Sequence, residues 1–170
     1  MESRVKLFGH PVHQMLIVFP LGLLATSVVF DIIHIASGAA YAATVAFALI
    51  ASGIVGGLLA APFGLIDWLA IPSGTRAKRI GGLHGGGNVV VLVLFAISLW
   101  LRYGHVEQPP TAAVVLSFCG AAISLVTAWL GGELVDRLGI GVSADAHPDA
   151  RSSLDGPAEP DQRRARPRSA

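Results

Sequence analysis

GHPVHQMLIVFPLGLLATSVVFDIIHI, residues 9–35, decides the fold. Two histidines, His10 and His13, stand one turn apart at the mouth of a run that stays apolar from Val12 to Ile35. That run is long enough to cross about 30 Å of hydrocarbon at 1.5 Å per residue. Its basic start, Arg4 and Lys6, and the small residues ASGAAYA after it imitate a secretion signal. It is too long for a signal core, however, and contains Pro20 and Asp31, so it reads as an uncleaved first span.

Three further apolar runs follow. With the first, the expected spans are roughly 12–35, 42–70, 83–101 and 112–134. The whole chain has 170 residues, 53% hydrophobic and 14% charged. An average soluble domain carries about 25% charged residues. The runs also lack the polar faces that helices of a soluble bundle need. The expected fold is therefore all-α, an integral membrane up-down four-helix bundle over residues 1–142. The lipid bilayer is its first partner. A net charge of +1 gives no pull toward nucleic acid. The single cysteine, Cys119, cannot form an internal disulfide.

Residues 143–170 are rich in Asp, Arg, Pro, Ser and Ala and show no apolar period. Such a segment cannot offset its ordering entropy and is expected to be a disordered tail. Four spans put both termini and the middle loop on one face. That face holds Arg4, Lys6, Arg76, Lys78, Arg79 and Arg137; the other holds Arg102. The positive-inside rule then places both termini in the cytoplasm and the bundle in the plasma (inner) membrane.

The topology gathers polar residues at the same face: His10 and His13 opening helix one, Asp67 and Trp68 closing helix two, His84 and Asn88 opening helix three, and Trp129 and Glu133 closing helix four. His10 is expected to cap helix one, with Pro11 at the first helical position. Pro20 should bend that helix. Asp31 lies 18 residues after His13, five turns of 3.6, so His13, Pro20 and Asp31 share a stripe that should face the bundle interior. Trp68 and Trp129 read as interfacial anchors. Steps of four, Ala48-Ser52-Gly56-Ala60-Gly64 and Gly120-Ser124-Ala128-Gly132, read as close-packing ladders. Five glycines surround His84. At about 1 kcal/mol each against alanine, they fit a place where a helix or a flat cofactor comes close. GHPVHQ and GGLHGGG share only a glycine and a histidine, which supports no internal repeat. His34 and His105 follow His13 and His84 by 21 residues each. That is roughly 30 Å away along a helix, so the match reads as accidental.

Taken together, HPVHQMLIVFPLGLL, GLIDWL, the H-x-x-x-N of His84 and Asn88, and WLGGELVDRLGIGV resemble an uncharacterised family of bacterial membrane proteins, a domain of unknown function with four transmembrane helices. The resemblance covers roughly residues 8–142. The family pattern begins H-P-x-H-P, and Gln14 stands here where that pattern has its second proline. The resemblance implies the fold and the membrane location and supplies no activity.

Two function classes follow from the residues. In the first, the cytoplasmic mouth is a redox site. His13 and His84, on diagonal helices, would hold haem b as axial ligands, with Asn88 beside them. In its non-haem form, His10, His13, Asp67, His84 and Glu133 would hold a divalent transition metal. In the second class, the chain is a small accessory subunit of a larger membrane complex, or a homo-oligomer, with no cofactor of its own. Proton or solute movement along the His13–Asp31 stripe is a further reading, weakened by the small bundle. Pairing of Asp31 with a neighbouring helix favours the structural class. Convergence of His13 and His84 favours the first.

Overall fold

The computed structural model describes residues 1–155. A short hairpin pairs β1 (Lys6–Leu7) with β2 (His10–Pro11). Then come α1 (Val12–Leu16), α2 (Val18–Ser37), α3 (Ala40–Ala70), α4 (Arg76–Arg102) and α5 (Thr111–Gly132). A π-helical turn, Glu133–Arg137, extends α5. Four helical stretches, the first made of α1 and α2 together, are long and apolar enough to cross a bilayer. α2 packs chiefly on α3 and α4 chiefly on α5; α3–α4 and α2–α5 contacts close the bundle. Residues 143–155 carry only isolated turns. The rest of the expected tail, 156–170, lies outside the described residues.

Local chemistry sets the ends. Pro20 has no N–H to donate to the Leu16 carbonyl, and the first helix is broken between α1 and α2 at Ile17. Gly38 ends α2 in the left-handed region at φ 69°. Thr75 caps α4, its hydroxyl accepting the Lys78 amide at 3.1 Å. That cap starts α4 seven residues before the expected Leu83, so the glycines flanking His84 lie inside the helix rather than at its mouth.

The interior is built of small residues and the exterior of large apolar ones. Ala42, Ala43, Ala46 and Ile50 are fully buried, whereas Leu58, Leu59, Leu125 and Val126 are exposed. This is the pattern of helices packed by backbone approach within lipid. The core joins Leu24, Ile50, Val91 and Phe95. A Cβ at Gly53 would stand 2.6 Å from Leu24, and one at Gly120 would stand 2.8 Å from Phe95. The inward stripe of α3 runs Ala43, Ala46, Ile50, Gly53, Gly57, Ala60, Gly64, alternating steps of three and four. The ladders of four expected from sequence are therefore corrected: Ala48, Ser52, Ala128 and Gly132 are exposed. Four residues turn about 400°, so a strict step of four drifts about 40° off the contact at every move.

Arg102, expected as an outer-face loop cation, is instead the last residue of α4 and is completely buried against Asp31. Its Nη1 and Nη2 donate to the two Asp31 carboxylate oxygens at 2.8 and 2.7 Å. Nε donates to the Ser98 hydroxyl at 3.2 Å and Nη2 to the Ser117 hydroxyl at 3.1 Å. Asp31 therefore faces the bundle interior and a neighbouring helix.

Candidate functional site

The first helix reaches the bundle through a strap. Asp67, near the end of α3, accepts the Ser3 hydroxyl and the Arg4 amide, both at 2.7 Å. Lys6 pairs with Glu2 and, with the Ala144 amide, holds the Glu2 carboxyl below its usual range. The hairpin turns through Phe8 (φ 50°) and Gly9 (φ 81°). His10 falls in its second strand, exposed, with Nδ1 on the Phe8 carbonyl at 3.1 Å. It is not the cap of α1; Pro11 occupies that flanking position.

His13, in α1, is half-buried. Its Nδ1–H donates to the Ala60 carbonyl of α3 at 3.0 Å. The ring lies over Gly64, where a Cβ would stand 2.6 Å away. His84, in α4, is held in the same way against α5. Its Nδ1–H donates to the Thr127 carbonyl at 2.8 Å, and a Cβ at Gly131 would stand 3.0 Å from its ring. Because a carbonyl can only accept, Nδ1 carries a proton in each ring, which in a neutral imidazole leaves the lone pair on Nε2. The two rings meet with centroids 6.5 Å apart and planes perpendicular.

Asn88, one turn along from His84, completes a small network. Its Nδ2 donates to His84 Nε2 at 3.2 Å, and its Oδ1 accepts the Thr127 hydroxyl at 2.9 Å. His13, His84 and Asn88 thus stand together. The other residues expected as metal ligands do not join them. His10 is in the hairpin, Asp67 holds the strap, and Glu133 pairs with Arg76. Among the described residues, no three His, Cys, Asp or Glu side chains are placed to share a metal ion.

Trp68 is more than an interfacial anchor. Its Nε1 donates to the Lys78 carbonyl at 3.0 Å, and Lys78 Nζ returns a bond to the Trp68 carbonyl at 2.7 Å while sitting 4.1 Å from the ring centroid. Trp129 is exposed, as an interfacial anchor would be. The glycines near His84 divide. Gly81 admits the Trp68 ring and Gly87 the Thr127 methyl, whereas Gly85 and Gly86 face open space, which nothing in the structure explains.

Residues 9–144 match the family model described as "Predicted membrane protein (DUF2231)". No curated protein and no solved structure matches the chain.

Proposed function

The chain belongs to this family of predicted membrane proteins, and from that premise we propose that His13 and His84 are the two protein ligands of a redox-active transition metal within the bundle. One observation carries the reading: both imidazoles are fixed alike, with Nδ1–H on a backbone carbonyl of the neighbouring helix and ring centroids 6.5 Å apart. Ligating histidines are oriented by such a second bond, which fixes the tautomer that leaves Nε2 for the metal. With metal–nitrogen bonds of about 2.0–2.1 Å, two imidazoles on opposite sides of one ion have centroids roughly 6 Å apart. The spacing fits that arrangement.

Two protein ligands are too few for a structural zinc site, which takes four. They suit an ion whose remaining ligands arrive with it, as porphyrin brings them to iron. Haem b would in addition need a slot for its ring between the two imidazoles, so the spacing alone suits a bare divalent metal equally well; either would supply the redox chemistry. Asn88 would guard the site, because its Nδ2 holds the His84 Nε2 that a metal would need. The basic residues at this end support a cytoplasmic location for it and for both termini in a plasma membrane. The burial of Arg102 strengthens that support, because it removes the cation counted on the opposite face.

A second reading has its own observation. With Asn88 on Nε2 and Thr127 on Nδ1, both nitrogens of His84 are engaged without any ligand. A cofactor-free accessory subunit of a larger membrane complex, or a homo-oligomer, needs no more than that. An ultraviolet–visible spectrum with metal analysis decides between them, on detergent-purified protein expressed with iron and haem precursor available. A His13→Ala, His84→Ala double variant is measured beside it. A Soret band lost in the variant, or stoichiometric metal without a Soret band lost likewise, is expected; the first assigns haem and the second a non-haem ion. The absence of both signals would overturn the proposal and leave the accessory reading.

A further inference from the structure

The two contacts between α1–α2 and α4 join residues at matching places in two helical hairpins. His84 follows His13 by 71 residues, and Arg102 follows Asp31 by the same 71. At that offset Ser27 also matches Ser98, both fully buried, and His34 matches His105. In the second helix of each hairpin the offset is 67, because Arg102 and Ala113 are 11 residues apart where Asp31 and Ala46 are 15 apart. At that offset Ala46 matches Ala113, Gly53 matches Gly120, and Gly64 matches Gly131.

The contacts repeat with the positions. His13 bonds the Ala60 carbonyl over Gly64; His84 bonds the Thr127 carbonyl over Gly131. Leu24 fills the space left by Gly53; Phe95, its equivalent, fills the space left by Gly120. α2 meets α5 and α4 meets α3, the second contact being the more extensive. His34 and His105 share the spacing but not the setting: His34 lies within α2, whereas His105 lies beyond the end of α4.

We infer that the chain is a tandem duplication of one two-helix unit, its halves related by a pseudo-two-fold axis along the membrane normal, and that Asp31–Arg102 is the lock that makes unlike halves pair. Parallel repeats of this kind share an axis along the normal. On a two-fold axis a residue faces its own equivalent, as His13 faces His84. Two copies of the first half would bring Asp31 against Asp31, and two of the second would bring Arg102 against Arg102. Opposite charge at equivalent positions admits only the mixed pair, a repulsive device against the wrong partner.

The test uses the full chain in detergent, read by thermal unfolding and by monodispersity on size exclusion. Asp31→Arg and Arg102→Asp singly should each abolish the monodisperse species. The double reversal should restore it, because the two positions are equivalent. Arg102 also uses Ser117, whose equivalent in the first half is Ile50. Adding Ile50→Ser with Ser117→Ile should raise the midpoint of the reversed protein and lower that of the wild type. A reversal no better than either single variant would overturn the lock. The duplication has a milder test that leaves the charges alone. Leu24→Phe with Phe95→Leu should recover at least half of the midpoint lost by the two single variants summed; simple additivity would overturn it. Neither readout uses the imidazoles, so failure here leaves the metal proposal standing.

Discussion

The bundle has two places where equivalent side chains meet across its middle, and they are finished differently. At one end Arg102 satisfies both Asp31 oxygens and two serine hydroxyls, with no exposure on either partner. At the other end two half-buried imidazoles stand near each other, and each spends its Nδ1–H on a backbone carbonyl. A saturated polar cluster in lipid has nothing left to bind with; it specifies an arrangement. At the histidine end the His84 Nε2 lone pair is taken only by the neutral Asn88 amide, so that end retains something to offer a stronger partner. The same geometry therefore specifies an arrangement at one end and, under the proposed function, leaves chemistry to the other.

Breaking the saturated end should have the largest effect. Asp31→Ala leaves the Arg102 guanidinium buried without its counter-ion, and such losses cost about 3–5 kcal/mol. The expected outcome is a large fall in unfolding midpoint or loss of folded protein, measured in detergent by circular dichroism. Asp31→Leu with Arg102→Met should recover most of it, since a buried pair replaced by apolar groups is often near neutral. If the double variant is as poor as the single, the pair contributes stability itself and the contrast with the histidine end narrows.

Next in size is Gly64→Ala. Its Cβ would stand 2.6 Å from the His13 ring, which must move. Overpacking of this kind costs about 1–3 kcal/mol, and the metal or Soret signal should fall with it. Gly132→Ala meets nothing within 4 Å and should leave both readouts within about 1 kcal/mol of wild type. Asn88→Ala sharpens the comparison from the other side. It removes a donor from His84 Nε2, at about 0.5–1.5 kcal/mol of stability, yet should tighten metal uptake in a titration because the lone pair is released. Weaker uptake would make Asn88 a support of the site rather than its guard. The smallest effect belongs to Arg76→Ala. The Arg76 partner of Glu133 is half exposed, so its loss should cost about 0.2–1 kcal/mol and vanish in high salt.

The four spans were legible because hydropathy and length alone demand them. The meeting of His13 and His84 was legible too, since short connections put their helices on a diagonal with both rings at one end. Arg102 was missed, although it lies 18 residues beyond His84 as Asp31 lies 18 beyond His13. Equal depth was written in the numbering, but the apolar run ends at Leu101, and the next residue looked like the start of a loop. His10 was read as a cap because Pro11 suits a first helical turn. The positive φ angles of Phe8 and Gly9, which no motif announces, send it into a hairpin instead. The repeat is hidden because matching positions stand singly among unlike ones, inside and outside the bundle alike: Leu24 answers to Phe95 and Asp31 to Arg102 within it, and Phe19 to Val90 and Val29 to Trp100 on its outer surface.

The break at Ile17 has a kinetic side. His13 rides on a five-residue helix that Pro20 has cut from the rest of its span, whereas His84 is embedded in 27 continuous residues. If the two imidazoles hold the proposed metal, they then differ in how fast each can release it. The amides around His13 should exchange with deuterium ahead of those around His84. Any molecule competing for the metal, carbon monoxide for example, should enter from the His13 side and displace that imidazole alone.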